Sequence, residues 1–206
     1  MKKPVIKKCE HYDLELAINE DEISGYSFDK DVDKELVINN MAFDCCTFSN
    51  MSFQKIKLNN VDLYDVIFEN CDLSNLCFDS KFICRVEFRN CKLVGTSFID
   101  ATIKDVLFDN CIVKYVNFSG AKVNTLCLTN SEVVDSTFMQ IDFINFQVDK
   151  CNLSGTEFVS SKLKDVDFST CDISGCSFDS KSVRGIVIDM FQCYTLVSLL
   201  GVKVKE

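Results

Sequence analysis

Cysteine is the residue type that most suggests chemistry in this sequence. The chain has 206 residues, with 13 cysteines and a single histidine, His11. Such a count could supply disulfides or a metal site. A zinc site would need clustered ligands in CxxC-like spacing, and the only close pair is Cys45 with Cys46. The number is odd and no secretory signal is recognisable, which predicts reduced thiols in a cytoplasmic protein. We therefore expect neither a metal nor a cofactor.

Enzymatic function is not indicated by any motif. The sequence lacks the G-x-S-x-G, Walker and Rossmann signatures, which position nucleophiles, phosphates and dinucleotides. The net charge of −9 argues against direct binding of nucleic acid through phosphate contacts. The sequence contains no run of eighteen apolar residues, so we expect no membrane-spanning helix. We expect a non-catalytic protein with no small-molecule substrate.

The strongest pattern is an apolar residue at every fifth position. The series holds without exception for thirty-one positions, from Ile38 to Ile188. A period of five fits neither a helix nor a strand. A chain that turns a corner every five residues forms a square coil, and stacked coils lie about 4.8 Å apart. The pattern predicts a four-sided all-β solenoid with a filled interior and therefore no deep pocket.

A second, smaller residue precedes each large one by two places and is expected to point inward as well. Seven cysteines occupy this position, which predicts compact core filling rather than disulfides: Cys46, Cys71, Cys91, Cys111, Cys151, Cys171 and Cys176. Six of the seven glycines lie two places after a large residue, where a corner needs permissive backbone.

Some residues depart from this pattern. Lys81, Lys181 and Phe146 stand where a small inward residue is expected. A buried unpaired lysine is costly, so we expect the backbone to bulge there and both ammonium groups to reach solvent. Five apolar residues at outward positions form either a partner-binding patch or scattered surface residues: Ile67, Phe82, Leu107, Ile112 and Tyr115.

The repeat resembles that of the pentapeptide-repeat family. The motif reads CDLSN at 71–75, CNLSG at 151–155 and CDISG at 171–175. The resemblance implies a right-handed quadrilateral β-helix. It also implies similarity to the Qnr and MfpA quinolone-resistance proteins, which imitate DNA and bind bacterial type II topoisomerases. The unbroken register leaves no room for the inserted loops of Gram-negative Qnr proteins. It is closer to MfpA and to Gram-positive Qnr-like proteins, so protection and inhibition of gyrase both stay open.

The C-terminal segment 189–206 predicts a short helix, because apolar residues recur there at helical spacing. One side would cap the solenoid and the other would meet a second copy, as the family resemblance also implies. The candidate cap and dimer residues are Met190, Phe191, Tyr194, Leu196, Val197 and Leu200.

Two columns of acidic residues are candidates for a docking face, because equivalent positions recur every twenty residues. The first column holds Glu69, Asp109 and Asp149, and the second holds Asp72, Glu132 and Asp172. The expected partner, by resemblance, is DNA gyrase or topoisomerase IV. The alternative is a rigid scaffold for an unrelated protein, with the acidic residues serving only solubility.

The sequence divides into three parts. Residues 36–188 carry the repeat, residues 189–206 the helix, and residues 1–35 lie mostly out of register. A solenoid end exposes apolar interior and needs a cap, so we expect 1–35 to form a degenerate first coil together with a cap or arm.

Overall fold

The computed structural model describes residues 1–20 and 22–197. The strands and helices follow one another along the chain as β1 (Glu10–His11), α1 (Leu14–Ala17), β2 (Ile23–Ser24), β3 (Tyr26–Phe28), β4 (Leu36–Ser49), β5 (Ile56–Glu69), β6 (Phe82–Arg89), β7 (Thr102–Asp109), β8 (Lys122–Val123), β9 (Thr125–Thr129), β10 (Asn145–Asp149) and α2 (Cys193–Val197).

The chain forms a right-handed, four-sided β-solenoid with twenty residues per coil. Every strand pair from β2 onward is parallel and joins residues twenty apart, as in Leu63 with Ile83. Single bridges continue this register on the remaining sides, as in Asp72 with Lys92. The predicted fold class is confirmed.

We number the four faces by their inward residues. The first face is centred on Leu63 and the second on Phe68, and both are extended strands. The third is centred on Leu73 and the fourth on Phe78, and both are built from tight turns. The same faces recur in each coil, twenty residues on, except that the fourth face is extended around Ile38 and Leu58, within β4 and β5.

The predicted core is confirmed position by position. Of the thirty-one large residues, twenty-eight are buried, and the other three, Phe143, Val183 and Ile188, pack against the core while partly exposed. Phenylalanines stack in columns, since the rings of Phe68 and Phe88 lie 5.2 Å apart and nearly parallel. Offset stacking of this kind adds to the gain from burial itself.

The inward cysteines fill the core as predicted. All thirteen thiols are free. Those of the column Cys71, Cys91 and Cys111 donate to backbone carbonyl groups of the coil before. Burial raises the pKa of the Cys46 thiol to about 11. A buried thiol with a raised pKa, such as that of Cys46, is unreactive.

Most corners place one residue in the left-handed backbone region. Among the described residues, twenty other than glycine have a positive φ, together with six glycines. Asparagine and aspartate dominate this set, because they tolerate the conformation better than other side chains. The asparagine side-chain amides also form hydrogen bonds from coil to coil along the corner, as in Asn110 Nδ2 to Asn90 Oδ1 at 2.6 Å.

The two irregular lysines reach solvent as predicted. The ammonium of Lys81 donates to Asn60, and the next amide, Phe82 N–H, donates to the Asp62 side chain. At Lys181 the backbone changes more, because Ser182 takes the buried inward place. The Lys181 ammonium then donates to the Ser160 carbonyl at 2.8 Å.

Tyr115 tests the constraint at the corners. It has a φ of 56° and its side chain is exposed, so it meets the steric penalty without compensating burial. We expect Tyr115→Asn to raise the free energy of unfolding by up to about 1 kcal/mol, measured by urea denaturation. The reverse change at an equivalent corner, Asn110→Tyr, should lower it. A loss of stability in Tyr115→Asn would contradict the steric account.

Candidate interaction surfaces

The two predicted acidic columns lie on adjacent faces, on either side of one corner. Glu69, Asp109 and Asp149 align on the second face. Asp72, Glu132 and Asp172 align on the third. The structure thus brings all six carboxylates to one side of the rod, but their surroundings differ.

The second-face column keeps most of its negative charge. Hydrogen bonds from the Asn130 amide and the Thr129 hydroxyl hold the pKa of the Asp109 carboxyl below its usual range. Arg89 stands between Glu69 and Asp109 in the column. Its guanidinium pairs with the buried carboxylate of Glu87 rather than with either column neighbour.

The third-face column is neutralised by lysines. Lys92 lies 3.4 Å from the Asp72 carboxylate, and Lys114 lies 2.5 Å from that of Glu132. Asp172 accepts the Ser174 N–H at 2.9 Å and so forms a local turn. This half of the predicted docking face is therefore a mixed surface.

The second face is the acidic face of the rod. Between Thr47 and Asp167 its outward positions hold five carboxylates and one basic group, Arg89; the carboxylates belong to Glu69, Glu87, Asp109, Asp149 and Asp167. The first face mixes both signs, because Lys104, Lys122, Lys162 and Lys164 offset its carboxylates.

The N-terminal residues 1–9, the N-terminal strap, run along the corner between the first and second faces. Lys2 N–H donates to Asp105 and Val5 N–H to Asp65, each at 2.8 Å. The Cys9 thiol then meets the Cys45 carbonyl at 3.2 Å. The strap therefore crosses several coils before β1 pairs with β3 and α1 buries Leu14 and Ala17.

A cluster beneath the strap brings together side chains that could in principle hold a cation. Ligand atoms of Asp44, Cys45 and Asp65 lie within 4.8 Å of one another. The Asp65 carboxylate already accepts two bonds from the Arg85 guanidinium, at 2.6 and 2.5 Å, besides that of Val5. These bonds lower its pKa despite burial. The cluster is better described as an ion pair that anchors the strap.

The C-terminal residues divide between cap and surface. Met190, Phe191 and Tyr194 are 78%, 81% and 56% exposed, whereas Leu196 packs partly against the core and Val197 is half-buried. Leu200 lies outside the described residues. The three exposed residues form an apolar patch at this end of the rod.

Sequence reasoning missed the residue that closes this end. Gln192 is buried, and its amide donates to the carbonyl groups of Phe168 and Cys171 at 2.8 and 2.7 Å. Asp189 and Gln192 also bond reciprocally through their side chains and backbone N–H groups. The D-x-x-Q spacing of a helix N-terminus was the signal available.

The family models that match this chain match it within the repeat region. A profile described as "Pentapeptide repeat region" matches residues 61–138, and one described as "Pentapeptide repeats (8 copies)" matches residues 136–179. Together they cover more than half of the chain. The chain belongs to the pentapeptide-repeat family.

Solved pentapeptide-repeat structures with similarity to the chain include two trypsin-treated variants of QnrB1, described as a plasmid-mediated fluoroquinolone resistance protein. They are 18% and 20% identical, cover 87% and 90% of this chain and 100% and 92% of theirs, and give TM-scores of 0.44 and 0.46. HetL from the cyanobacterium Nostoc, involved in heterocyst differentiation regulation, is 10% identical, with 84% and 93% coverage and a TM-score of 0.36. No curated protein sequence matches the chain.

Helices in the described part of this pentapeptide-repeat chain are short. Neither α1 nor α2 is long and apolar enough to cross a membrane.

The Asp65–Arg85 pair should give a pH-dependent contribution to stability. The pKa of Asp65 is lowered in the folded state, so the contribution is present above the ordinary aspartate pKa of about 3.9 and is lost as the pH falls below it. We expect Arg85→Gln to cost about 1–3 kcal/mol at pH 7 and much less at pH 3, measured by urea denaturation. Arg184→Gln, at an exposed arginine, is the control. An equal loss in Arg85→Gln at both pH values would contradict the pairing.

Proposed function

We propose that the chain is a non-catalytic, cytoplasmic protein that binds a bacterial type II topoisomerase, DNA gyrase or topoisomerase IV. It would present an acidic face in place of a DNA segment and so confer or modulate fluoroquinolone resistance. The observation that carries the proposal is the open edge of the second face, where Glu69, Asp109 and Asp149 repeat along a rigid column.

The spacing of this edge suits a long basic groove. Carboxylates recur every second coil, about 9.6 Å apart, on strands that cannot shift without breaking the stacked core. Proteins that bind DNA present clustered lysine and arginine to its phosphates. A fixed row of negative charge can be steered to the same surface.

The choice of a topoisomerase is supported by the resemblance of the repeat motif to family members that imitate DNA. Membership in the family supports a binding role. The scaffold alternative predicts the same rod but gives the acidic edge no partner, and it is an outcome of the experiment below.

Gyrase supercoiling with purified protein, with and without a fluoroquinolone, tests the function. The edge variant Glu69→Gln/Asp109→Asn/Asp149→Asn removes three charges and keeps the hydrogen-bond acceptors. We expect that about tenfold more of the edge variant is needed for the same effect on supercoiling, because each of the three removed charges lowers the binding free energy modestly.

The matched control is Asp72→Asn/Glu132→Gln/Asp172→Asn on the neutralised third face, which should act like the wild type. Rescue of supercoiling under the drug would indicate protection, and inhibition without the drug would indicate competition with DNA. No effect of the wild type on gyrase or on topoisomerase IV would contradict the proposal and favour the scaffold.

We also propose that the chain forms a homodimer through its C-terminal end. The exposed patch of Met190, Phe191 and Tyr194 supports this, since apolar patches at the end of a rod favour association. Light scattering at micromolar concentration should give a dimer, and Met190→Asp/Phe191→Asp a monomer. Ile144→Asp, at an exposed residue on the side wall, should stay dimeric. A monomeric wild type would contradict this part of the proposal.

A further inference from the structure

We propose that the strip beneath the N-terminal strap is a docking site for an extended, basic peptide segment of a protein partner, and that the strap is its built-in competitor. The proposal does not rest on the topoisomerase function, because it concerns the opposite edge of the second face from Glu69, Asp109 and Asp149. Three features of the strip and the strap carry it: the composition of the strip, the fit of the strap and one unsatisfied carboxylate oxygen.

The strip has an apolar floor and an acidic border. Its floor is the outward column Ile67, Glu87, Leu107 and Cys127 on the second face. Its border is the corner with Asp65 and Asp105, both only 6% exposed, and Arg85 lies between them and pairs with Asp65. These positions point away from the solenoid core, and further along the same column Gln147 is exposed. Glu87 and Cys127 of the floor are buried, Ile67 and Leu107 are half-buried, and the strap, which bonds Asp105 and Asp65 beside them, is the segment placed to cover the strip.

The strap is basic and matches the strip in length. Residues 1–9 contain four lysines and no acidic residue. Lys2 and Val5 are three residues apart and bond carboxylates of Asp105 and Asp65, two coils apart. Three extended residues span about 10 Å and two coils about 9.6 Å. An extended peptide thus places N–H groups three residues apart on carboxylates two coils apart.

The strap leaves one group of the strip unsatisfied. Glu87 lies in the coil between those of Asp65 and Asp105 and is only 1% exposed. Its Oε2 accepts from Arg89, while its Oε1 has no hydrogen-bond partner among the described residues. Lys3 and Pro4 cross this middle coil, and proline has no N–H to donate. A buried acceptor without a donor is unfavourable.

A partner segment with a donor at the middle coil would satisfy Glu87 where the strap does not. The strap nevertheless competes well, because it is tethered to the site and acts at a high effective concentration. The apparent affinity for an outside peptide is the intrinsic affinity multiplied by the fraction of molecules in which the strip is uncovered. The strip is therefore occupied by a partner only when the partner's basic segment binds more strongly than the tethered strap.

The test uses the full chain and a fluorescein-labelled synthetic peptide, MKKPVIKK, followed by fluorescence anisotropy. In the strap variant Lys2→Glu/Lys3→Glu/Lys7→Glu/Lys8→Glu the strap loses its charge complementarity. We expect it to bind the peptide at least tenfold more tightly than the wild type. The control Lys122→Glu/Lys150→Glu/Lys162→Glu/Lys164→Glu makes the same charge change at exposed lysines elsewhere and should bind like the wild type. Equal affinity of the two variants, or no binding by the strap variant, would overturn the proposal.

The role of Glu87 has its own readout. A second peptide with alanine for proline, MKKAVIKK, regains the missing N–H and should bind the strap variant several-fold more tightly than the first. Adding Glu87→Gln to the strap variant should reduce this preference, and adding Asp105→Asn should weaken both peptides. In the otherwise unaltered full chain, Pro4→Ala should tighten the strap and lower peptide binding further. Equal binding of the two peptides to the strap variant would contradict the assigned role of Glu87. No topoisomerase is present, so failure here leaves the proposed function untouched.

Discussion

A corner after every fifth residue, in most cases with a left-handed backbone, is the constraint on which this structure depends. It closes the square coil, sends one large and one small side chain inward on each face, and stacks equivalent residues twenty apart. Asparagine and glycine at the corners lower the cost of that conformation. Phenylalanine columns and cysteine columns then fill the interior of the described coils, so the side chains available to a partner lie on the outer surface.

The stacking of coils at twenty-residue intervals aligns the surface residues in columns, as it does the core residues. Any outward residue type that recurs every twenty residues becomes a column with fixed spacing. The second face thereby gains two different edges. One edge presents carboxylates to solvent, and the other holds Asp65 and Asp105 beneath the basic strap. The acidic column of the third face lacks this character, because Lys92 pairs with Asp72 and Lys114 pairs with Glu132.

Local periodicity made most of the fold predictable from sequence. The inward positions, the cysteine filling and the corner glycines need only contacts at fixed short separations, and the structure confirms them. The strap was beyond such reasoning, because the Lys2–Asp105 bond joins residues 103 positions apart and involves a backbone N–H. The apolar residues Ile67 and Leu107 were the available hint, since both belong to the column that the strap covers. Lysine pairing on the third face was partly visible, because Lys92 stands next to Asp72 in the same column, whereas Lys114 reaches Glu132 from outside that column in the coil before.

Competition with DNA for gyrase distinguishes DNA mimicry from other modes of binding. A labelled duplex is bound to gyrase and the protein is titrated in, at about 50 and 200 mM salt. We expect release of the duplex at near-stoichiometric protein at both salt concentrations, because the acidic edge and the DNA would occupy one basic surface. Formation of a ternary complex in which the duplex stays bound would contradict the claim that the acidic face takes the place of DNA.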